Sequence, residues 1–216
     1  PMKLQRGSLK QQARTVAEKI RDRIIRGELP TGSVISEQEL SQTYRCTRHV
    51  VRLVLETLVS WHLASVERNG TTVRGFSIDD VQPCWRFRLA IEPMIAETLI
   101  QLAKPVGREV AETLEAMQKV VAQGGAAGLT PEQRVDFLRL DRTFHLGLLH
   151  SLGGLFDFLE PSYDMALTRL HKLWYGAIGK KETIDEHAAI LKAIRARSMG
   201  GARIAVSAHL EQALER

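Results

Sequence analysis

One stretch of the sequence combines a helix-capping residue, an apolar face and a group of basic side chains. Thr47 suits a helix cap, because its hydroxyl can accept a hydrogen bond from a free amide of the first turn. Arg48, His49 and Arg52 lie near the start of the helix and fall away from most of its apolar face. That face is formed by Val50, Val51, Val54, Leu55 and Leu58. The first residues of a helix anchored in this way can meet base edges in a major groove, so the stretch is typical of DNA reading.

A second stretch has the spacing of a pair of metal ligands. Asp141 and His145 are four residues apart, so on a helix both side chains project from one face and can bind one ion together. The same spacing is common in surface ion pairs, and taken alone it indicates an ion pair more often than a metal site. Its interpretation therefore depends on what else the chain brings near these two residues.

The elements before Arg48 have the order of a helix-turn-helix. Apolar residues at three- and four-residue steps predict a helix over residues 9–26. Ser36-Glu-Gln-Glu39 has the sequence pattern of a capping box and predicts a second, short helix. The helix capped by Thr47 is then the third.

The segment after the third helix predicts a wing. Two β-prone runs, residues 64–68 and 71–75, flank Asn69-Gly70, a pair that favours a type I′ hairpin turn. A hairpin in this position completes a winged helix-turn-helix, and residues 75–80 are the predicted linker.

Beyond residue 80 the periodicity is helical throughout. Glycine and proline residues break it into segments that predict an antiparallel bundle of about six helices. The predicted helices span residues 80–103, 107–123, 131–151, 154–176, 183–197 and 201–215. The predicted fold class is therefore mainly α, with a winged helix-turn-helix domain over residues 1–76 and an all-helical domain over residues 77–216.

Composition and charge narrow the class of protein. Of 216 residues, 44% are hydrophobic and 25% charged, and no apolar run is long enough to span a bilayer. Residues 1–76 carry 13 Lys and Arg against 7 Asp and Glu, a net of +6, whereas residues 77–216 carry 17 against 18, a net of −1. This asymmetry suggests that the first third meets a polyanion, although a solubilising surface charge would also produce it. The first residues lack the apolar core of a secretory signal, and Cys46 and Cys84 match no zinc or disulfide pattern, so we expect a cytoplasmic protein.

Several motifs together resemble one family of bacterial regulators. Residues 24–32, 35–40 and 47–52, followed by the wing, resemble the DNA-binding domain of GntR-type transcription regulators. The second half of the chain resembles the all-helical FCD effector domain of the same family, and six helices suggest its smaller subgroup. The resemblance covers nearly the whole chain and implies effector binding and dimerisation by residues 77–216.

The resemblance also implies which residues contact DNA. It assigns this role to Gln38, Thr47, Arg48, His49, Arg52, Asn69 and Gly70. Arg48 and Arg52 can each bind guanine bidentately or a phosphate, and Gly70 lets the wing backbone approach the duplex. The family usually has Arg where this chain has Gln38, and often Thr-Pro at the position of His49-Val50. The operator is therefore expected to differ from the common half-site.

Three further segments are similar to the metal-ligand segments of the FCD domain. They are residues 141–145, 186–190 and 208–210, and the resemblance assigns a divalent ion, zinc or nickel, to Asp141, His145, His187 and His209. Such a set leaves open positions that a small carboxylate can fill. The remaining histidines match no ligand motif, so we expect a surface or buried structural role for His62, His150 and His171.

Arg88 has two interpretations. It aligns with an arginine of the first FCD helix that is suited to an anionic effector. An external salt bridge to Glu92, four residues further on, is the alternative.

These patterns support one leading function and two rivals. The leading hypothesis is a metal-containing, metabolite-responsive transcription regulator that binds a palindromic operator as a homodimer, with no membrane association. The first rival is a metal-dependent enzyme fused to a DNA-binding module, since His and carboxylate groups can perform hydrolysis or oxygen chemistry. No additional acid, base or nucleophile motif supports that rival. The second rival is a non-specific nucleic-acid packaging protein, for which only the charge asymmetry argues.

Overall fold

The computed structural model describes residues 6–75, 78–125, 128–175, 179 and 181–215, and within these residues it has nine α-helices and one two-stranded sheet. The chain divides into two compact units, residues 1–77 and 78–216. The predicted boundary between residues 76 and 77 lies outside the described residues. A helix-turn-helix with a two-stranded wing followed by six helices confirms the predicted mainly α fold class.

The first unit is built on the packing of its first and third helices. Helix α1 spans Arg6–Ile25, α2 spans Glu37–Thr43, and α3 spans Arg48–Ser60. The apolar stripes of α1 and α3 meet in one core, where Ile20, Val54 and Leu58 are each 0% exposed. The cap hydroxyls also behave as the sequence predicts: Ser36 accepts a hydrogen bond from the Glu39 amide, and Thr47 accepts one from the Val50 amide.

The wing forms, but its turn differs from the predicted type. Strands β1, Ala64–Glu67, and β2, Gly70–Val73, pair antiparallel with Glu67 opposite Gly70. The connecting residues are therefore Arg68 and Asn69, one position before the predicted pair. Within residues 67–70 of the hairpin, Gly70 alone has a positive φ, 121°, whereas a type I′ turn needs a positive φ at both central residues.

The second unit is a bundle whose helices converge on a polar centre. Its helices are α4 (Ile78–Gln101), α5 (Arg108–Gly124), α6 (Pro131–His150), α7 (Glu160–Trp174), α8 (Lys181–Arg195) and α9 (Met199–Glu215). Helix α4 packs against α7, α8 and α9, while α6 packs against α5 and α7. Helix α6 begins with a capping box, because Thr130 and Gln133 exchange side-chain to backbone hydrogen bonds.

One predicted helix start was wrong. Residues 154–159 are turns and a short 3-10 segment, so α7 begins at Glu160, where Pro161 suits the first helical turn. The positive φ of Gly154, 82°, is incompatible with a helix starting there. The predicted end of this helix at residue 176 lies outside the described residues.

The last helix begins at Met199, two residues before its predicted start at residue 201, and therefore includes both Gly200 and Gly201. The preceding helix ends at Arg195, and Arg197, between the two helices, has a φ of 54°. Ser198 then accepts a hydrogen bond from the Gly201 amide, which caps the first turn of α9. A capping hydroxyl at the right position outweighs the low helix propensity of Gly200 and Gly201.

Among the described residues, no helix combines the length and the apolar character that a bilayer span requires.

The core of the first unit predicts the effect of a single truncation. Leu58→Ala removes a side chain that is 0% exposed between α1 and α3. We expect it to lower the free energy of unfolding of this unit by about 2–5 kcal/mol, because it leaves a cavity. Val66→Ala, at a wing position that is 74% exposed, is the control and should change that free energy by less than about 0.5 kcal/mol. Urea unfolding of both variants measures the difference, and equal midpoints would contradict this packing.

Candidate functional site

The residues assigned to DNA contact lie on exposed positions of the first unit. Arg48, His49 and Arg52 occupy the first turns of α3 and are exposed, while Val50 and Val51 beside them are buried. Asn69 and Gly70 are exposed at the tip of the wing. The helix is thus held by its apolar face with its basic face in solvent, which is the arrangement that a groove-reading helix needs.

Gln38 reaches the same region from the preceding helix. It lines a shallow groove of about 360 Å³ together with Arg48. The other lining residues are Glu37, Ser41, Gln42 and Val51. Thr47 is exposed and caps α3, so its hydroxyl is engaged by the Val50 amide. Fold and exposure agree with the predicted DNA contacts, whose individual roles remain predictions.

Three histidines from three helices meet in the core of the second unit. His145 lies on α6, His187 on α8 and His209 on α9, and they are 1%, 0% and 3% exposed. One ring nitrogen from each lies within 4.8 Å of the others. We call these residues the histidine cluster. It could hold a metal ion, since convergent neutral imidazoles are common ligands of zinc and nickel.

Two glutamates orient two rings of the histidine cluster. Nδ1 of His145 donates to Oε2 of Glu92 at 3.0 Å, and Nδ1 of His209 donates to Oε2 of Glu186 at 2.9 Å. A proton on Nδ1 leaves the lone pair of Nε2 for a ligand. Carboxylates in this position are the usual outer partners of metal-bound histidines, because they select the tautomer and raise ring basicity.

The spacing within the histidine cluster suits an ion. Nε2 of His145 lies 3.2 Å from Nε2 of His187. Two unprotonated nitrogens at this distance repel, so a proton or a cation must lie between them. Nitrogens about 2.0–2.1 Å from a tetrahedral zinc ion are roughly 3.3 Å apart, so this pair needs little movement. His187 differs from the other two rings, because its Nδ1 is buried with no hydrogen-bond partner among the described residues.

Burial keeps two of these rings neutral. Desolvation first, and then the nearby His209, hold the pKa of His187 well below its ordinary value. Desolvation, followed by the charges of His145 and Arg88, lowers the pKa of His209 to about 3. Neutral imidazole is the form that binds a metal, so both rings are ready to bind at neutral pH.

Asp141, the predicted fourth ligand, lies beside the histidine cluster. Its Oδ1 is 3.4 Å from Nε2 of His187, and its Oδ2 is 3.8 Å from Nε2 of His145. Burial alone would raise the pKa of Asp141, but His145 and His171 hold it well below its ordinary value, so the carboxylate is ionised. The structure therefore brings all four predicted ligands together, and coordination by Asp141 stays a prediction.

His171 has a role that the sequence did not reveal. It is 4% exposed, and its Nε2 donates to Oδ2 of Asp141 at 2.9 Å. Burial lowers the pKa of His171 despite the opposing effect of Asp141, so the ring is a neutral donor. It orients the carboxylate so that Oδ1 faces His187. By contrast, His62 is exposed and His150 pairs with Glu160 at 3.0 Å, as expected for surface residues.

Arg88 lies in the same polar centre, and its ion pair is buried rather than external. The guanidinium is 2% exposed, and Nε donates to Oε1 of Glu92. Its Nη2 is 3.1 Å from Nε2 and 3.5 Å from Nδ1 of His145. A donor this close to both nitrogens lies against the ring face, so the Nε2 lone pair remains available. Burial opposes ionisation of Glu92, but Arg88 and His145 outweigh it and hold the pKa of Glu92 below its ordinary value.

Comparison with known families agrees with this geometry. Residues 12–73 match the gntR family of bacterial regulatory proteins, and residues 84–212 match the FCD domain. The chain therefore belongs to the GntR family of bacterial regulators, in the group that carries a C-terminal FCD domain. Members of this family are DNA-binding transcription regulators, so the chain is a regulator of this class and not an enzyme.

Individual relatives share this assignment. The gluconate operon transcriptional repressor of Bacillus licheniformis is 23% identical over 84% of this chain and 75% of its own length. The repressor of the same name from Bacillus subtilis (strain 168) is 28% identical, but the match spans only 48% of this chain and 43% of that protein.

Solved structures share the fold. E. coli McbR/YncC superimposes with a TM-score of 0.74 at 20% identity, covering 94% of this chain and 95% of that chain. A GntR transcriptional regulator from Rhodococcus sp. RHA1 gives 0.72 at 21% identity, covering 95% and 98%. At these identities the likeness concerns the fold alone.

The histidine cluster predicts how metal content depends on single residues. We expect His187→Ala and His209→Ala to lose the zinc or nickel that wild type retains after dialysis, because each removes one of three imidazole ligands. His150→Ala is the matched control on the surface of the same bundle and should retain it. Elemental analysis measures the content, and circular dichroism checks that each variant is folded.

Thermal unfolding gives a second measurement of the same site. Zinc at about 100 times its dissociation constant should stabilise wild type by about 2.7 kcal/mol and leave the two cluster variants unchanged. Wild type that neither retains nor responds to zinc or nickel would contradict the site.

Proposed function

We propose that this regulator binds a palindromic operator as a homodimer, and that a small organic acid bound at a divalent ion in the FCD domain controls its affinity for that operator. The proposed ion ligands are Asp141, His145, His187 and His209. The observation that carries the proposal is the meeting of three buried histidines and an ionised aspartate within one bundle.

The basic face of α3 supports specific reading of DNA. Arg48 and Arg52 are exposed one turn apart, and neither lies on the apolar face that anchors the helix. An arginine fork can bind guanine at two points, whereas Gln38 on α2 suits adenine or a phosphate. We propose that these three side chains determine which bases the protein selects. Supporting contacts to DNA are proposed for Thr47, His49, Asn69 and Gly70.

Two-fold pairing follows from the size of the reading unit. One winged helix-turn-helix covers a single half-site, and a symmetric dimer is the usual way to gain affinity and to measure half-site spacing. The dimer contacts are proposed to involve residues 77–216, as the FCD assignment implies.

The chemistry of the polar centre supports an acid as effector. When bound, a divalent ion would offer coordination positions that a carboxylate oxygen can fill. Glu92 and Glu186 hold His145 and His209 with Nε2 directed at the site, and His171 holds Asp141. Arg88 lies against His145 and can donate a further hydrogen bond to an anion.

Helix α4 connects this site to the DNA-binding unit. Glu92 bonds His145, so the position of α4 depends on the ring that helps to hold the ion. Helix α4 begins at Ile78, and the first unit ends at residue 77, so α4 is the first element of the bundle after the DNA-binding unit in the chain. An acid that binds one arrangement of the bundle better than another shifts the equilibrium between them and can change operator affinity.

The names of the relatives suggest which acids to test first. Two of them are repressors of a gluconate operon, and this supports sugar acids as the first ligand class.

The assignment of the reading helix predicts a loss of operator affinity. We expect Arg48→Ala and Arg52→Ala each to weaken binding to a selected operator by about 1–3 kcal/mol, since each removes a base or phosphate contact. Arg108→Ala is the control, because this arginine is 91% exposed in the other unit, where it pairs with Glu112. Titrations at one fixed salt concentration measure the three affinities. If both α3 variants bound the operator with wild-type affinity, the assignment of α3 as the reading helix would be wrong.

The regulatory part of the proposal predicts a dependence on metal and acid together. For metal-loaded wild type we expect a bound sugar acid to change operator affinity by about 5–150-fold. The same acid should have no effect on His187→Ala or on metal-stripped protein, and a normal effect on His150→Ala. Operator titrations with and without the acid measure this. An acid that binds wild type while operator affinity stays constant would leave the ion with a structural role only.

A further inference from the structure

The arginines of the first unit differ in whether they have an acidic partner. Those on α1 or directly after it form ion pairs with acids, and they are Arg14, Arg21, Arg23 and Arg26. In the described part of this unit, the exposed arginines without an acidic partner are Arg45, Arg48, Arg52 and Arg68. The unpaired charge therefore lies on the turn before α3, on α3 itself and on the wing, which are the elements that meet DNA in a winged helix-turn-helix.

Arg45 is the member of this unpaired group that lies on neither α3 nor the wing. It is in the turn between α2, which ends at Thr43, and α3, which begins at Arg48. Arg45 precedes Arg48 by three residues, so their Cα atoms are at most about 11 Å apart. An extended arginine side chain at this position can therefore reach the same duplex that the first turn of α3 meets.

The backbone of Arg45 has a conformation that a side chain disfavours. Its φ is 48°, in the left-handed region, where a Cβ atom crowds the backbone and glycine is the preferred residue. Hydrogen bonds between its neighbours hold this turn: the Cys46 amide donates to the Ser41 carbonyl at 3.2 Å, and Oγ of Ser41 donates to the Cys46 carbonyl at 2.8 Å. Neither bond involves the Arg45 side chain, so a glycine would form the same turn with less strain.

The fold therefore does not explain why this position carries an arginine. Among the described residues the side chain of Arg45 has no ion pair and no hydrogen bond, and it is exposed. A strained backbone position that keeps a charged side chain without a partner in the fold indicates a partner outside it.

We propose that Arg45 binds a DNA phosphate at the edge of the major groove that α3 reads. Side chains on α3 face the base edges, whereas a residue just before the helix lies nearer the backbone that borders the groove. A phosphate contact adds affinity for every DNA sequence and carries no base preference. The inference rests on the proposed function for its two-fold count, because a homodimer presents Arg45 once in each half-site.

The salt dependence of DNA binding tests this contact. Arg45→Gly removes the charge and relieves the backbone, and Arg45→Asn removes the charge with a residue type that tolerates positive φ. Each lost phosphate contact should make the plot of log affinity against log salt concentration less steep by about 0.9, and hence by about 1.8 for the dimer. At about 0.15 M salt the affinity should fall about 30-fold, equally for a selected operator and for a scrambled duplex of the same length.

Three comparison variants separate the charge from the backbone and from base reading. Arg45→Lys keeps the charge and should keep the wild-type salt dependence. Arg197→Gly replaces an exposed arginine with a φ of 54° in the other unit, and it should leave DNA binding unchanged. Arg48→Ala removes a proposed base contact, so it should weaken binding to the operator more than binding to the scrambled duplex.

Each outcome of these titrations has a defined meaning. Unchanged salt dependence in both neutral Arg45 variants, or a loss of affinity confined to the operator, would overturn the phosphate contact. A lower thermal midpoint in both neutral variants than in wild type would show that the side chain supports the fold, which would also overturn it. Wild type that binds the selected operator no more tightly than the scrambled duplex would instead overturn the proposed function.

Discussion

The buried carboxylate of Glu92 constrains how two helices of the C-terminal bundle pack. It accepts hydrogen bonds from Arg88 on its own helix and from His145 on α6. A buried charge is strongly unfavourable unless its partners are present, so α4 and α6 must pack in the one arrangement that supplies them. The orientation of His145 and the packing of these two helices are therefore a single requirement.

The two units are stabilised by different kinds of interaction. The first unit has an apolar core between α1 and α3, with one buried ion pair between Arg21 and Asp22, and the basic residues at the start of α3 lie on the outside. The second unit places histidines, acids and an arginine at its centre, where each depends on its neighbours for hydrogen bonds. A polar centre of this kind responds strongly to a bound ligand, because one added charge changes the balance of the whole group. An apolar core has no comparable response, which suits a unit that only has to present a rigid helix.

Local patterns predicted much of this architecture because the interactions behind them are local. The capping hydroxyl of Thr47, the apolar stripe of α3 and the four-residue spacing of Asp141 and His145 all act within a few turns of one helix. Prediction failed where two local signals favoured different structures, at the start of the last helix and at the turn of the wing. The last helix was predicted to begin at residue 201, yet Ser198 caps a helix that begins at Met199 and includes Gly200. Asn69-Gly70 read as a type I′ turn, yet the strand register makes Arg68 and Asn69 the connection.

The sequence by itself determined the order of elements, the basic face of α3 and, through the family resemblance, the four residues proposed to hold an ion. It also contained the Arg88 and Glu92 pair at helical spacing, but not its burial. Only the tertiary structure showed that Glu186 orients His209 and that His171, 30 residues after Asp141, orients that carboxylate. These partners come from different helices, so no periodicity or local spacing relates them. The packing of the bundle decides which polar side chains share one desolvated centre, and desolvation makes each of them depend on the others.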